Sequence, residues 1–233
     1  MSYDAFAKTF SASRKNLRWG EIEYFVKYIR DHFLTPMARG DGGGFSSISL
    51  LDVGCGNGRF LDTFENSFSP LSPLGEGLEV RTYSYLGIDE SSGMIEEAQK
   101  LHPEYTFMVL DMNHLEELSD DEKYDVIIFI ASFHHLQTSE ERKEVLEKTK
   151  KLLKKGGIIM MTNWNLMSES NFSKYEKSYK GNGDFQIKIG TYHRYYHGFV
   201  LEELENLSQE SGLDIIENRV FEDGRNLVSI ISA

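Results

Sequence analysis

The sequence predicts a doubly wound α/β fold: a mostly parallel, seven-stranded sheet with helices on both faces and an antiparallel hairpin at its C-terminal end. Three observations carry this expectation. Apolar strand-like runs alternate with helix-like segments from Ile48 to Asn163, the pattern of a parallel sheet covered by helices. The first run, Leu50-Leu51-Asp52-Val53, enters a glycine-rich turn, Gly54-Cys55-Gly56-Asn57-Gly58; glycines there reach dihedrals closed to residues with a Cβ. Acidic residues then close two further runs, Asp89 after Tyr83–Ile88 and Asp111 after Tyr105–Leu110.

The elements follow in order. Residues 3–10 and 20–34 have helical spacing of apolar positions, with Trp19, Ile22, Phe25, Val26 and Ile29 as one stripe. Pro36 stops the second helix, and Asp41–Ser47 is a connector. Strands are expected at 48–53, 83–88, 105–110, 124–130 and 157–163, and helices at 58–66, 91–100 and 139–153. Residues 67–80, rich in Ser, Pro and Gly, make a long loop. Residues 165–190, with Ser, Asn, Lys and Gly, read as an insertion or mobile lid. A helix at 199–210 precedes two runs, Asp214–Phe221 and Leu227–Ile231, joined by the turn Glu222–Asn226 as a hairpin. The whole of 1–233 reads as one domain: a helical cap and linker (1–47), a cofactor-binding core (48–163), an insertion (164–198), and a C-terminal helix and hairpin (199–233). A chain of 233 residues can bury a full core of that kind.

Composition narrows the function. A hydrophobic fraction of 40% with 27% charged residues is ordinary for a soluble domain, and no apolar run is long enough to span a bilayer. The N-terminus lacks the basic-then-apolar layout of a signal peptide. One cysteine, Cys55, rules out an intramolecular disulfide and suits the cytoplasm. The net charge of −12 argues against unaided nucleic-acid binding and against DNA as a partner. Arg14, Lys15 and Arg18 form one small basic group, and the lysines from 143 to 155 alternate with Glu144 and Glu147 as a solvated helix face. No metal is expected, because His134 and His135 lack Cys or carboxylate partners at ligand spacing.

In an open α/β sheet, ligands sit beyond the carboxyl ends of the strands. Gly54, Gly56, Asp89 and Asp111 fall at such ends, and Asp52 lies one residue earlier. Each Asp alone reads as a cap or turn residue; three in register read as a cofactor site. A dinucleotide would want Gly-x-Gly-x-x-Gly, whereas this turn is Gly-x-Gly-x-Gly. The block 48–163 resembles the class I methyltransferases, Rossmann-like enzymes dependent on S-adenosyl-L-methionine (SAM). That resemblance implies SAM as cofactor. It implies Asp52 at the methionine end, Gly54 and Gly56 for close backbone approach, and Asp89 on the ribose hydroxyls. Asp111 would accept from the adenine amine, and the Met112 N–H would donate to the ring.

A closer resemblance rests on three further motifs. They are Tyr3-Asp4-x-x-Ala7-x-x-Phe10-Ser11-x-Ser13-Arg14…Trp19, Ile130-Ala131-Ser132-Phe133-His134-His135-Leu136, and Arg194-Tyr195-Tyr196-His197-x-Phe199 followed by Glu202-Glu203-Leu204-Glu205. Over nearly the whole chain they resemble the tRNA wobble-uridine carboxymethyl methyltransferases, among them the methyltransferase domain of the AlkB-like tRNA enzyme. The resemblance implies tRNA as partner, methylation of the carboxylate of 5-carboxymethyluridine, and a small zinc-binding activator subunit. The eukaryotic members carry a basic linker where this chain has the shorter segment 165–190.

The chemistry agrees with these residues. A carboxylate, with a pKa of about 4, is ionised at neutral pH and needs no general base; the enzyme has only to position it. Arginine holds a carboxylate best. Arg194 is the first candidate and Arg14 the second, with His135, Tyr195 and His197 as further catalytic candidates. One of His134 and His135 is expected to bond backbone while the other faces substrate. Trp19, Trp164, Tyr195 and Tyr196 are candidates for stacking on a flipped base. The competing expectation is methylation of a small carboxylic acid or phenol, which the acidic charge favours. A catalytically silent scaffold is disfavoured by the full set of Asp52, Asp89 and Asp111.

Overall fold

The computed structural model describes residues 19–34, 47–68, 83–119, 121–190 and 192–233. Arg14, the helix expected at 3–10, and most of the 41–47 connector and 67–80 loop lie outside them.

After Trp19 comes α1 (Gly20–Ile29), with Glu21 and Glu23 in its first turn, where negative charge suits the helix dipole. Its expected stripe is buried: Ile22, Phe25, Val26 and Ile29. A π-helical turn, Arg30–Leu34, continues it. Then follow β1 (Ile48–Val53), α2 (Arg59–Phe68), β2 (Tyr83–Asp89) and α3 (Ser92–Leu101). The Ser91 hydroxyl caps α3 by accepting from the Met94 N–H. Next are β3 (Thr106–Val109), a 3-10 turn at Met112–Glu117, β4 (Tyr124–Ile130) and a second 3-10 turn at Phe133–His135. A capping box of Thr138 and Glu141 starts α4 (Ser139–Leu152). The rest is β5 (Leu153–Trp164), α5 (Glu169–Tyr175), β6 (Tyr179–Gly181), β7 (Asp184–Ile189), β8 (Tyr192–His197), α6 (Leu201–Glu210), β9 (Asp214–Val220) and β10 (Asn226–Ser232).

Seven strands form one sheet in the order β3-β2-β1-β4-β5-β10-β9. β1 to β5 pair in parallel, and β10 runs antiparallel between β5 and β9. This is the expected doubly wound sheet with its C-terminal hairpin. β1 is buried on both faces, as a central parallel strand should be. Leu51 and Val53 join the core with Phe129, Val145 and Leu204; Leu50 joins the opposite core with Phe25, Phe60 and Ile128. The chain turns to opposite sides after β1 and β4, so a crevice opens where their carboxyl ends diverge. α1 is tied to the far hairpin: Asn226 Nδ2 donates to Glu21 Oε1 at 2.5 Å, and the Tyr24 hydroxyl donates to Glu217.

The segment expected to be a mobile lid is a built unit. β6, β7 and β8 form a second, antiparallel sheet with its own core of Leu166, Phe185, Ile187 and Tyr196. The reason is visible in hindsight as a period of two in Phe185-Gln186-Ile187-Lys188-Ile189, which pairs with Tyr192–His197. Gly181-Asn182-Gly183, all at positive φ, makes the tight turn into β7. The Ser, Asn and Lys content that suggests flexibility belongs largely to exposed positions of this unit. Arg194, Tyr195 and Tyr196 are therefore strand residues.

Candidate cofactor and substrate site

A cavity of about 440 Å³ lies over the carboxyl ends of the central strands, within the range of small-molecule sites. Over β1, β2 and β3 it is lined by Asp52, Gly54, Gly56, Asp89, Asp111 and Met112. Over β4 and β5 it is lined by His134, His135, Trp164, Arg194, Tyr195 and Tyr196. The structure thus brings together every expected site residue except His197, which is elsewhere, and Arg14, which lies outside the described residues.

The glycine turn is built around β2. The N–H groups of Gly54 and Cys55 both donate to the Ile88 carbonyl, at 2.8 and 2.9 Å. Gly54 and Gly56 have φ of 74° and 58°. The two glycines do different work, which the sequence argument merged. The room left by the absent Cβ of Gly54 is taken by Ser132, whose Oγ donates to the Val53 carbonyl at 2.6 Å. At Gly56 the nearest obstacle is the flexible methyl of Met94. Asp89 braces the turn: Oδ2 accepts from the Gly56 N–H at 3.0 Å and Oδ1 from the Ser91 N–H at 2.9 Å. Asp111 is at once a cap and a cavity residue, its Oδ1 accepting from the Asn113 N–H at 2.9 Å.

Asp52 is buried, with Oδ2 accepting from the Tyr85 hydroxyl at 2.9 Å. Its Oδ1 has no hydrogen-bond partner among the described residues. Burial pushes its carboxyl up to about 7; the Tyr85 bond and the charge of Arg59 oppose this and nearby Asp89 adds to it. An enclosed carboxylate of this kind calls for a cation. Cys55 is buried and its thiol is pushed well up by burial, so it is inert in the turn.

Sequence reasoning missed Arg59, the first residue of α2, which lines the same end of the cavity with its guanidinium 4.4 Å from the Trp19 ring. The available signal was a cation directly after the glycine turn, at a helix start.

At the other end, both histidines bond backbone, where one was expected to. His134 Nδ1 accepts from the Trp164 N–H at 3.2 Å, and His135 Nδ1 meets the Tyr195 carbonyl at 3.0 Å. Burial pushes His134 well below the usual histidine range and His135 down to about 4. Ala131, just before them, holds φ of 52°, a strained value for a residue with a Cβ. Burial lowers Arg194 to about 10, so it stays cationic at neutral pH, with its guanidinium 6.0 Å from the Tyr196 ring. Trp164 stacks on Tyr196 at 4.8 Å and lies nearly parallel to Tyr175 at 6.5 Å. Those two rings therefore already serve as each other's stacking partners.

Tyr195 and His197 do not take the catalytic places expected of them. The Tyr195 hydroxyl is enclosed by Asp184 Oδ1 (2.6 Å), the Gln137 carbonyl (2.9 Å) and Arg142 Nη2 (2.9 Å). His197 is buried between Asp184 Oδ1 at 2.9 Å and Glu203 Oε1 at 2.8 Å. Arg142, also buried, lies 3.7 Å from Glu203 and 4.0 Å from Asp184. This network bolts the small sheet to α4 and α6. Arg142 was hidden from sequence reading in the charge run of a helix that looks fully solvated. Away from the cavity, Glu65, His102 and Glu104 bring ligand atoms within 4.8 Å of one another, a grouping absent from the sequence reading.

Comparison with known proteins agrees with the fold and the cofactor end. A family model described as a methyltransferase domain matches residues 51–159. The tRNA (carboxymethyluridine(34)-5-O)-methyltransferase of Saccharomyces cerevisiae is 32% identical over 175 residues, covering 75% of this chain and 50% of that protein. The Schizosaccharomyces pombe protein of the same name is 24% identical, covering 93% of this chain and 88% of its own length. The chain thus spans only half of the budding-yeast relative. Among solved structures, a chain from the complex of the Haloferax volcanii Trm112 methyltransferase activator with its methyltransferase partner aligns with a TM-score of 0.67 at 14% identity, covering 100% of this chain and 96% of that one. A SAM-bound amino pentose methyltransferase from Micromonospora echinaspora aligns at 0.63 and 16% identity, covering 97% and 96%. No helix among the described residues is long and apolar enough to cross a membrane. With the matched domain, the sheet order and these relatives in agreement, the chain carries a methyltransferase domain in the fold of the SAM-dependent methyltransferases and is similar to the tRNA carboxymethyluridine methyltransferases.

Proposed function

We propose that the chain esterifies the carboxylate of 5-carboxymethyluridine in tRNA, in the cytoplasm, using SAM. The observation that carries this is the acceptor end of the cavity. It holds a half-buried cation, Arg194, beside two imidazoles too weakly basic to take a proton at neutral pH. Such a site suits a nucleophile that arrives already ionised. A phenol would need a base, and His135 near 4 is a poor one. The names of the two yeast relatives support the uridine carboxylate in particular.

In this reading, Asp52 holds the ammonium of the SAM methionine and Arg59 its carboxylate. Asp89 takes the ribose hydroxyls, and Asp111 with the Met112 N–H reads the adenine. SAM supplies the methyl group on a sulfonium centre. The protein orients the uridine carboxylate in line with it through Arg194, which is catalysis by positioning.

An activator subunit fits the same reading. The chain's charge of −12 is poorly suited to hold tRNA alone. β3 is one edge of the large sheet among the described residues, with Met108 and Val109 exposed and Leu101 exposed at the end of the neighbouring α3. An exposed apolar edge strand favours pairing with another chain. The test is methyl transfer to an anticodon stem-loop carrying 5-carboxymethyluridine, with and without an activator, followed by nucleoside mass spectrometry. A methyl ester on the uridine is expected. An unchanged nucleoside, alongside transfer to free small carboxylic acids, selects the small-acid reading instead.

A further inference from the structure

We propose that His134 and His135 form a fixed donor–acceptor pair that reads a carbonyl next to an N–H on the substrate, the lactam edge of a uracil ring. The naming of uracil rests on the function proposed above; the pair itself rests on two backbone contacts.

A backbone N–H can only donate. The Trp164 N–H lies 3.2 Å from His134 Nδ1, so that nitrogen holds the lone pair. A backbone carbonyl can only accept. The Tyr195 carbonyl lies 3.0 Å from His135 Nδ1, so that nitrogen carries the proton. A neutral imidazole has one N–H and one lone pair. His134 is therefore a donor at Nε2, and His135 an acceptor at Nε2. Burial keeps both rings neutral at pH 7. Adjacent residues thus carry opposite tautomers, each set by the main chain.

Both rings line the cavity, 4.5 Å apart and edge to face. His134 is 1% exposed, and its Nε2 has no hydrogen-bond partner among the described residues. A buried donor left unpaired is unfavourable, and a ligand acceptor would relieve it. Tyr196 packs on both rings, at 5.3 and 4.6 Å, which resists a flip that would exchange nitrogen for carbon.

The pair has a clear chemical preference. A carboxylate presents only acceptors, and the His135 lone pair would repel it. The carboxylate therefore belongs at Arg194, with the histidines reading another part of the same substrate. Uracil offers O4 to His134 and N3–H to His135. Cytosine held in the same register by a 5-substituent would set its amino group against the His134 N–H. Direct donor and acceptor matching of this kind discriminates far more strongly than apolar fit.

Two measurements on the full chain with SAM bound test the pair. The first is the ¹⁵N shifts of the two imidazoles at pH 7, which identify the protonated nitrogen without any substrate. The expected result is a proton on Nε2 of His134 and on Nδ1 of His135; equal tautomers, or a charged ring, overturn the proposal. The second is single-turnover methyl transfer to a stem-loop bearing 5-carboxymethyluridine or its N3-methyl analogue, which loses the N3–H and keeps the O4 carbonyl. The wild type should prefer the N3–H substrate by roughly ten- to a hundredfold. His135→Ala removes the acceptor and leaves room for the methyl, so the preference should vanish; its survival overturns the proposal. If the wild type methylates neither uridine, the proposed function fails, and the ¹⁵N result still decides the tautomers. His135→Val replaces the Ala variant if that one does not fold.

Discussion

Gly54 and Ser132 share one space at the ends of β1 and β4. A Cβ on Gly54 would press into the Ser132 Cβ, well inside van der Waals contact. Ser132 cannot retreat freely, because its hydroxyl is bonded to the Val53 carbonyl at 2.6 Å. This contact sets how the two strand ends diverge, and so the width of the crevice.

Gly54→Ala should therefore destabilise the protein by about 2–5 kcal/mol, combining overpacking with an alanine at φ of 74°. Ser132→Gly should recover the steric part and leave the backbone part. Chemical denaturation of both single variants and the double variant gives the coupling. Strict additivity would show that the contact does not constrain the strands.

Asp52 predicts a pH dependence in two opposite senses. Burial raises its folded pKa to about 7, against an unfolded value near 4. Between those values the folded state binds the proton more tightly than the unfolded state. Stability without ligand should therefore fall as pH rises through that window, by on the order of 4 kcal/mol in total, and level off above it. A cation in the cavity reverses the preference, so SAM affinity should rise with pH up to about 7, by as much as tenfold per unit. Calorimetry at pH 6 in buffers of different ionisation heat should report release of about one proton, absent in Asp52→Asn. A pH-independent affinity would remove Asp52 from the methionine end.

The sheet and the cofactor end were legible in the sequence for one physical reason. Parallel strands buried on both faces, such as Leu50–Val53 and Val126–Ile130, read as apolar runs. The acids at the ends of the next two runs, Asp89 closing β2 and Asp111 after β3, stand out against the apolar residues before them. The insertion was not legible in the same way. Its strands bury one face only, so Gln186 and Lys188 dilute Phe185, Ile187 and Ile189. His197 and Tyr195 misled for a related reason. Residue type and neighbourhood mark them as reactive, but Arg142, Asp184 and Glu203, which use up their polar atoms, come from three separate elements.

His197 should behave as a brace. His197→Leu leaves the Glu203 carboxylate with Arg142, and that of Asp184 with Arg142 and the Tyr195 hydroxyl. Both carboxylates are about one-third exposed, which softens the loss to about 1–3 kcal/mol. Limited proteolysis within 165–198 should accelerate, methyl transfer should fall, and SAM binding should persist. If transfer is abolished while the small sheet stays as protected as in the wild type, His197 acts in the chemistry after all.

Arg194 is the residue on which the proposed reaction turns. It sits on β8, on the face that packs against Phe185 and Ile187, and it lines the acceptor end of the cavity. Even with burial lowering its pKa to about 10, it is charged throughout the neutral range. An arginine fork can hold both oxygens of a carboxylate in one plane, whereas lysine offers a single point of charge. Arg194→Lys should therefore slow methyl transfer while SAM affinity is kept, and Arg194→Ala should slow it more. A charge-assisted hydrogen bond of about 1.5–3 kcal/mol corresponds to roughly ten- to over a hundredfold in rate, if the bond tightens toward the transition state. Single-turnover transfer at saturating SAM isolates this step from cofactor binding. Arg14→Ala, run beside them, is the control that matters. If Arg194→Ala transfers methyl at the wild-type rate and Arg14→Ala does not, the substrate anion is held from the N-terminal segment and not from the small sheet.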